Sequence, residues 1–215
     1  MTSLIGVYGA SGFGKEIMPL VRKQFNELND ESFVFIDDSG DLIDLNGFKV
    51  LTYEQFLQSP CSSKSVTIAI ANSNIREKLT NKLLADSISL IDVKANNVEI
   101  FDQVEFDIGS IICSFVHLTS NIKIGKGFHA NIYSYIAHDC VIGDFVTFAP
   151  RVSCNGNVHI HDHAYIGTGA VIRQGTPDKP LIIGKGAVVG MGAVVTKDVP
   201  AGVTVVGNPA KVLVK

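Results

Sequence analysis

The chain has 215 residues, of which 46% are hydrophobic and 18% are charged, and its net charge at pH 7 is -3. This composition supplies enough apolar side chains for a folded core, and the lack of a long basic run argues against binding to nucleic acid. No apolar run approaches membrane-spanning length and no signal peptide pattern opens the chain, so we expect a cytoplasmic protein that does not bind membranes.

The first 92 residues alternate between strand-like and helix-like patterns. Short apolar runs predict four strands, at residues 4–8, 33–36, 66–70 and 88–91. Apolar side chains at helical spacing predict the helices between them, at residues 17–25, 53–57 and 74–85. This order predicts a parallel, doubly wound sheet of the size of one mononucleotide-binding half. Arg76 in the third helix is interpreted as a solvated charge, with a phosphate contact as the alternative.

A glycine-rich segment, GASGFG, follows the first strand and contains Gly9, Gly12 and Gly14. Glycines between a strand and a helix let backbone N–H groups approach a phosphate at the helix N-terminus. Asp37 and Asp38 follow the second strand, where an acidic residue can recognise a ribose or a base. The segment therefore predicts a nucleotide site, while a site for NAD and a purely structural turn stay open as alternatives.

From residue 100 onward the apolar residues recur every six positions. Thirteen of them hold one phase, and four more resume it after the segment RQGTPDKPLI at 173–182. They are Ile100, Phe106, Ile112, Leu118, Ile124, Ala130, Ile136, Ile142, Phe148, Cys154, Ile160, Ile166 and Ile172, then Ile183, Val189, Val195 and Ala201. Neither an α-helix nor an ordinary strand uses this period, whereas a triangular parallel β-helix does, with three hexapeptides in each 18-residue coil. The interrupting segment is predicted to loop out of the coil wall.

Two groups of residues that could serve catalysis are interpreted as structural. The four cysteines lack CxxC spacing, which indicates free thiols, and Cys140 and Cys154 fall at inward-facing repeat positions. The segment VHIHDH at 158–163 resembles a metal cluster, but His159, His161 and His163 occupy different repeat positions. They would not converge on one tetrahedral ion within one chain, so we expect no metal site, although convergence across a subunit boundary stays open.

His138 interrupts the apolar repeat two places after the inward-facing Ile136, so its side chain is expected to face outward. Gly156 follows one coil later and leaves bare backbone beside the imidazole. A base and an unobstructed N–H donor are the two groups that acyl transfer needs. Asp139 could fix the imidazole tautomer and stabilise its cation. This arrangement predicts an acyl-transfer site, with a solvated corner histidine as the alternative.

The whole chain resembles the bacterial sugar acetyltransferases of the hexapeptide-repeat, left-handed β-helix class. It is most similar to the sialic-acid-O-acetyltransferase-like family, which includes nucleotide-sugar N-acetyltransferases. The matching segments are GASGFGKEI, FIDD, IAIANSNIREKL, HDCVIGDF, TPDKPLIIGKGAVVGMGAVVTKDVP and GNPAK, spread over residues 3 to 213. The resemblance implies an α/β, Rossmann-like domain with a parallel sheet at 1–92 that binds a nucleotide-linked sugar. A left-handed parallel β-helix acetyltransferase domain at 93–215 would follow.

The resemblance also implies roles for particular residues. His138 would be the general base, and the backbone amide of Gly156 would hold the thioester carbonyl. The nucleotide-linked sugar would bind at Gly9, Ser11, Gly12, Phe13, Gly14, Asp37 and Asp38. Acetyl-CoA would bind in a cleft between two β-helices of a homotrimer, at Asn155, Gly156, Gly167, Thr168, Lys185 and Ala187. Phe13 and Thr147 stand where some members carry histidines, so the exact substrate does not transfer with the resemblance.

The leading prediction is direct, metal-independent transfer of an acetyl group from acetyl-CoA to the amine of a UDP- or dTDP-linked amino-deoxysugar, in polysaccharide or glycan biosynthesis. Three alternatives stay open. The first is O-acetylation of a sugar such as sialic acid, and the second is a metal-dependent β-helix hydratase. The third is a nucleotide-binding module whose β-helix only assembles trimers.

Overall fold

The computed structural model describes residues 3–214 and divides into two compact units, Met1–Lys94 and Ala95–Lys215. The division lies beside the boundary expected at residue 92. Within the described residues, none of the helices combines the length and the apolar character needed to cross a membrane.

The first unit contains a mainly parallel sheet with three α-helices among the described residues. Its elements are β1 (Ser3–Tyr8), α1 (Gly12–Gln24), a 3-10 turn (Asp30–Ser32), β2 (Phe33–Ile36), β3 (Asp44–Leu45), β4 (Phe48–Leu51), α2 (Tyr53–Gln58), β5 (Ser63–Ile68), α3 (Ser73–Ala85), β6 (Ser89–Leu90) and β7 (Val93–Lys94). The six-stranded sheet has the order β3-β4-β2-β1-β5-β6, and only β3 and β4 pair antiparallel. The chain passes from β1 to one side of the sheet and returns to β5 on the other side. Ligands of open α/β sheets bind at such a switch point, outside the carboxyl ends of the two strands.

Local sequence signals explain where the helices of this unit begin. Thr52 forms a capping box with Gln55 at the start of α2, with each side chain accepting a bond from the other residue's N–H. The side chain of Asn72 accepts bonds from the N–H groups of residues 74 and 75 and so caps α3. The β3–β4 hairpin was not predicted, although the Asn46-Gly47 pair at its turn, with both φ values positive, is a hairpin signal.

The second unit is a parallel β-helix built from short strands in three sheets. The strands are β8 (Glu99–Ile100), β9 (Val104–Phe106), β10 (Ile111–Ile112), β11 (His117–Leu118), β12 (Ile122–Ile124), β13 (His129–Ala130), β14 (Tyr135–Ile136), β15 (Val141–Ile142), β16 (Thr147–Phe148), β17 (Ser153–Cys154), β18 (Val158–Ile160), β19 (Tyr165–Ile166), β20 (Val171–Ile172), β21 (Leu181–Ile183), β22 (Val188–Val189), β23 (Val194–Val195), β24 (Thr204–Val206) and β25 (Lys211–Val212). His117 pairs with Tyr135, and Ile111 pairs with His129, so the regular coils contain 18 residues.

The predicted six-residue phase describes the interior of this β-helix. Every predicted inward residue from Ile112 to Val195 is at most 4% exposed. The two ends differ: Ile100 is 36% exposed at the first coil, and Ala201 is exposed at the last. The prediction for Ala201 was wrong, because Val199 bridges to Ile183 and shifts the phase of the final coil.

The segment at 173–182 leaves the regular coil, as predicted, but stays attached to it. Val158 pairs with Leu181 rather than with residue 176, so the segment adds five residues to this coil. Gly175 donates its N–H to the carbonyl of Gly156 at 3.0 Å. The segment therefore forms a short projection beside the coil that carries Gly156.

All four cysteines are free thiols, and three of them, including Cys140 and Cys154, are buried. The Sγ atom of Cys140 donates to the carbonyl of Asn155 at 3.3 Å. Both thiols therefore belong to the interior of the coil, as their phase in the repeat predicted.

Candidate active site

The imidazole of His138 covers Gly156 on the neighbouring coil. A Cβ atom added at Gly156 would lie only 2.6 Å from both Cε1 and Nε2 of His138, which is closer than non-bonded atoms approach. Only glycine therefore accommodates the ring in this position. Asn157 donates its N–H to the carbonyl of His138 at 2.9 Å and keeps the two coils in register. The structure thus brings together the two residues that the coil length predicted as neighbours.

Hydrogen bonds fix the tautomer of His138. Its Nδ1 lies 2.7 Å from Oδ2 of Asp139, and Oδ1 of Asp139 accepts a bond from Nδ2 of Asn121 at 3.0 Å. The bond from His138 is the larger cause, and the bond from Asn121 the next, of a lowered pKa of Asp139, so this carboxyl is ionised at neutral pH. A carboxylate only accepts hydrogen bonds, so in the neutral ring Nδ1 carries the proton. Nε2 is then free to accept one, and the side chain, 48% exposed, can be reached by a ligand.

The β-helix corner that carries Asp139 explains this arrangement. Asp139 and Asn121 both have a φ of 57°, in the left-handed region that Asp and Asn tolerate better than other residues with a side chain. They occupy the same corner on successive coils, 18 residues apart in the chain. Asn121 was not predicted as part of the site, although counting one coil back from Asp139 would have identified it.

The backbone of Gly156 offers a donor beside the imidazole. Its carbonyl accepts the bond from Gly175, whereas its N–H donates to no backbone carbonyl within residues 3–214. A backbone N–H next to a base is the arrangement that stabilises the oxyanion of an acyl-transfer intermediate.

The residues predicted to contact acetyl-CoA are not equally placed to do so. Thr168 and Lys185 are exposed, and Nζ of Lys185 lies 3.5 Å from a carboxylate oxygen of Asp162. Gly167 is buried, and a Cβ there would lie 2.6 Å from the N atom of Met191. Gly167 therefore serves the close packing of two coils.

Two other predicted contacts are committed to the β-helix itself. Asn155 donates from Nδ2 to the carbonyl of Ile172 at 2.8 Å and accepts a bond from the hydroxyl of Tyr135 at 2.9 Å. The side chain of Ala187 is fully buried, and its N–H and carbonyl both bond to other residues of the coil. The repeat phase assigns neither role, because it does not say which polar groups find partners.

A cavity of about 510 Å³ beside the projecting segment was not predicted. It lies between the projecting segment and the following coil, and Gly175, which lines it, is the residue bonded to Gly156. Its charged lining residues are Arg173, Lys179, Lys197 and Asp198. Three cations against one carboxylate favour a ligand that carries phosphate groups. The signal in the sequence that could have indicated this cavity is the presence of basic residues, Arg173 and Lys179, in the segment that interrupts the repeat.

The glycine-rich loop lies at the carboxyl end of β1. Gly9 has a φ of +113°, and a Cβ at Gly14 would lie 1.9 Å from the carbonyl oxygen of Gly9. These two glycines are therefore required by the turn into α1. Ser11 and Gly12 are exposed and Phe13 is partly exposed, so these residues present the loop to solvent.

The two aspartates after β2 have different roles. Asp38 accepts bonds from the N–H of Tyr53 at 2.8 Å and from the hydroxyl of Tyr8 at 2.5 Å, so it holds α2 and is committed to the fold. Burial and this bond raise the pKa of Tyr8 far above its ordinary value. Asp37 accepts bonds from Ser39 N–H at 2.9 Å and from Ala10 N–H at 3.4 Å. Its bonds with Ser39 lower the pKa of Asp37, which leaves an ionised acceptor beside the glycine-rich loop.

Arg76 is buried rather than solvated, so this prediction was wrong. Its side chain is 1% exposed, and Nη1 donates to the carbonyls of Ile70 at 2.9 Å and Ala71 at 3.1 Å. An amphipathic pattern does not predict that the long side chain of a helical residue turns back to bond with the loop that precedes its helix.

The histidines of segment 158–163 do not converge in the structure. Within residues 3–214, no group of three or more His, Cys, Asp or Glu side chains is placed to hold a metal ion. The ring of His163 instead stacks on Phe145, with centroids 5.5 Å apart.

Comparison with known proteins places this fold in a family. Residues 4–83 match the family described as PglD N-terminal domain. Over 211 residues the chain is 49% identical to GDP-perosamine N-acetyltransferase of Escherichia coli O157:H7, covering 97% of this chain and 96% of the relative. Among solved structures, WeeI from Acinetobacter baumannii AYE is 67% identical, with a TM-score of 0.97, and the alignment covers 99% of this chain and 100% of WeeI.

Two further structures carry ligands. The acetyltransferase domain of PglB from Neisseria gonorrhoeae FA1090, in complex with acetyl coenzyme A, is 29% identical with a TM-score of 0.87, covering 99% of this chain and 100% of that domain. PerB from Caulobacter crescentus, in complex with CoA and GDP-perosamine, is 22% identical with a TM-score of 0.87 and a coverage of 99% and 98%, which shows the shared fold alone.

These similarities confirm a parallel-sheet domain followed by a left-handed parallel β-helix. They also confirm that the protein is an acyltransferase with acetyl-CoA as its cosubstrate. The chain therefore belongs to the hexapeptide-repeat family of nucleotide-sugar N-acetyltransferases, enzymes that transfer an acetyl group from acetyl-CoA to an amino sugar.

Proposed function

We propose that this protein transfers an acetyl group directly from acetyl-CoA to the amine of a nucleotide-linked amino-deoxysugar, with His138 as the general base. The observation that carries the proposal is the exposed imidazole whose Nδ1 is bound to Asp139 and whose Nε2 lies over Gly156. A base of fixed tautomer beside a backbone donor is suited to acyl transfer.

In the reaction the neutral amine attacks the thioester carbonyl, and Nε2 of His138 takes a proton from the nitrogen as the C–N bond forms. The Gly156 N–H donates to the oxyanion, an interaction that contributes roughly 3–4 kcal/mol in comparable enzymes. The ionised Asp139 stabilises the imidazolium. When the intermediate collapses, the C–S bond breaks and the thiolate of CoA takes the proton from His138.

Transfer is proposed to be direct, without an acyl-enzyme intermediate. Cys140, the thiol nearest to His138 in the sequence, is fully buried and donates to a backbone carbonyl. A buried thiol held in this way does not meet a thioester that arrives from solvent.

We assign the phosphate-bearing end of acetyl-CoA to the basic cavity beside Gly175. The remaining predicted contacts, Thr168 and Lys185, are exposed and stay part of the proposal. We also propose a homotrimer, as the resemblance implies. The exposed Phe115–Tyr133 stack, with ring centroids 4.9 Å apart, offers an apolar edge suited to subunit contact.

The basic cavity yields a testable difference between donor and acceptor kinetics. Lys179→Ala and Arg173→Ala should each raise the KM for acetyl-CoA by about 10-fold, because each removes roughly 1.4 kcal/mol of attraction to a phosphate. The KM for the sugar should stay constant. Lys123→Ala, which changes an exposed lysine of β12 that does not line the cavity, serves as the matched control. Equal KM values for acetyl-CoA in all three variants would contradict the assignment.

For the acceptor, we propose a GDP-linked amino sugar as the first compound to test. The name of the Escherichia coli relative supports GDP, whereas the sequence alone suggested UDP or dTDP. The ionised Asp37 beside the glycine-rich loop accepts hydrogen bonds only, which suits N–H groups of a base or hydroxyls of a ribose. This chemistry is shared by the three nucleotides, so Asp37 does not choose among them.

The test is a panel of GDP-, UDP- and dTDP-linked amino sugars, with sialic acid as a hydroxyl acceptor. Each is incubated with acetyl-CoA and the purified protein. We expect release of free thiol and a product heavier by one acetyl group on the amine of a nucleotide-linked amino sugar. Turnover of sialic acid with none of the amino sugars would support the alternative O-acetyltransferase and overturn the proposal.

A further inference from the structure

Arg76 holds the segment that leaves β5. Its guanidinium bonds to the carbonyls of Ile70 and Ala71, and its backbone N–H bonds to the carbonyl of Asn72 at 3.0 Å. Asn72 in turn caps α3 with its side chain. One buried residue therefore ties the whole turn between β5 and α3 to the helix. Burial lowers the pKa of Arg76 to about 9, so the guanidinium still carries its charge at neutral pH.

Peptide geometry determines what this turn shows to solvent. In a trans peptide, the N–H points opposite to the carbonyl of the preceding residue. Because the carbonyls of Ile70 and Ala71 point to Arg76, the N–H groups of Ala71 and Asn72 point away from it. Both residues are exposed, and in the described part of the chain neither N–H donates to a backbone carbonyl.

The turn lies at the switch point of the sheet. β1 lies between β2 and β5, so the carboxyl ends of β1 and β5 border the crevice in which ligands of such sheets bind. The glycine-rich loop follows β1 and the turn at 69–72 follows β5. They are in direct contact, since a Cβ at Gly9 would lie 2.9 Å from the carbonyl oxygen of Ala69.

We propose that Arg76 is a positioning residue that holds the turn at 69–72 so that the N–H groups of Ala71 and Asn72 bind oxygens of the nucleoside diphosphate part of the substrate. The buried charge behind the turn adds an attraction for the phosphates. The inference rests on the proposed function and deepens it, because it adds a second wall of donors opposite the glycine-rich loop.

One matched pair of variants isolates the N–H of Asn72. Its φ of -68° is the value that proline adopts, so Asn72→Pro removes the N–H without forcing this dihedral. Asn72→Ala loses the same helix cap but keeps the N–H. By calorimetry with GDP and UDP on the full-length protein, we expect Asn72→Pro to weaken binding by about 10-fold relative to Asn72→Ala. Equal dissociation constants for the two variants would overturn the proposal.

A second pair tests Arg76 itself. Arg76→Met should weaken nucleotide binding and raise the KM for the nucleotide sugar by about 10-fold or more, with kcat and the KM for acetyl-CoA within about twofold. Leu83→Ala, which empties a buried site on the same helix, controls for lost stability. If Leu83→Ala with an equal loss in Tm weakened nucleotide binding as much, the positioning role would be wrong.

The two proposals fail separately. If the wild-type protein binds GDP or UDP but acetylates no amino sugar, and Asn72→Pro binds nucleotide more weakly than Asn72→Ala, the proposed function fails and the role of the turn stands. If it acetylates the sugar while Asn72→Pro and Arg76→Met bind nucleotide as tightly as their controls, the role of the turn fails alone. A wild-type protein that binds neither nucleotide diphosphate overturns the inference.

Discussion

Replacing His138 with alanine is expected to lower kcat by about 10²–10⁴-fold, the range that a positioned general base contributes. The loss should appear in kcat and not in the dissociation constant of acetyl-CoA, because in the proposed mechanism the imidazole acts on the proton of the attacking amine. His138 is a half-exposed corner residue, so its removal leaves no cavity in the core and should not lower Tm. Steady-state kinetics, calorimetry with CoA and thermal unfolding measure these three quantities.

A matched control for this variant is His159→Ala. His159 also points outward from a β-helix strand, β18, where it pairs with Val141 and not with a residue of the His138 corner. We expect His159→Ala to retain wild-type turnover. If His138→Ala turned over at the rate of His159→Ala, His138 would be a solvated corner histidine and the assignment of the base would be wrong.

The β-helix could be predicted from the sequence because its environments repeat. Each inward position meets the same surroundings on every coil, so one apolar residue in six is enough to set the phase from Ile112 to Val195. The phase fails at the ends, where Ile100 has no complete coil beneath it and Val199 starts a shifted final coil. The inward or outward direction of a side chain can therefore be predicted where the repeat is regular. The direction of Ala201 could not be predicted, because the repeat is interrupted before it.

Coil arithmetic also predicted the pair at the centre of the site. His138 and Gly156 are one 18-residue coil apart, and the same count would have added Asn121 through Asp139. No such arithmetic exists for the α/β unit. There, Asp38 bonds to Tyr8 and Tyr53, and Arg76 bonds to the turn at 69–72. The elements that these bonds join have no regular spacing in the chain.

The basic cavity is lined by residues of a segment that interrupts the six-residue repeat. Segment 173–182 was recognised as an insertion because it breaks the phase, but the phase says nothing about where an insertion folds. Its place beside Gly156 depends on the bond from Gly175, which is a feature of the folded chain. At an insertion in a solenoid, the repeat no longer predicts where the residues lie, and such residues can form a ligand site.

Gly156→Ala is expected to lower kcat by about 10²-fold while leaving the backbone donor in place. No positive φ is required at this residue, so alanine fits the backbone, and the change acts through its Cβ alone. That atom would lie 2.6 Å from Nε2, so the imidazole has to leave its position over the coil. A displacement of about 1 Å in a reacting group can cost 10²-fold in rate.

The double variant His138→Ala with Gly156→Ala separates displacement of the base from damage to the donor. Without the imidazole, the Cβ of alanine has space, so adding Gly156→Ala to His138→Ala should cost less than about threefold further in kcat. Such strong non-additivity is expected when one residue acts only through the other. If the two losses instead multiplied, Gly156 would act independently of His138, which would assign the larger part of its contribution to the N–H that faces the oxyanion.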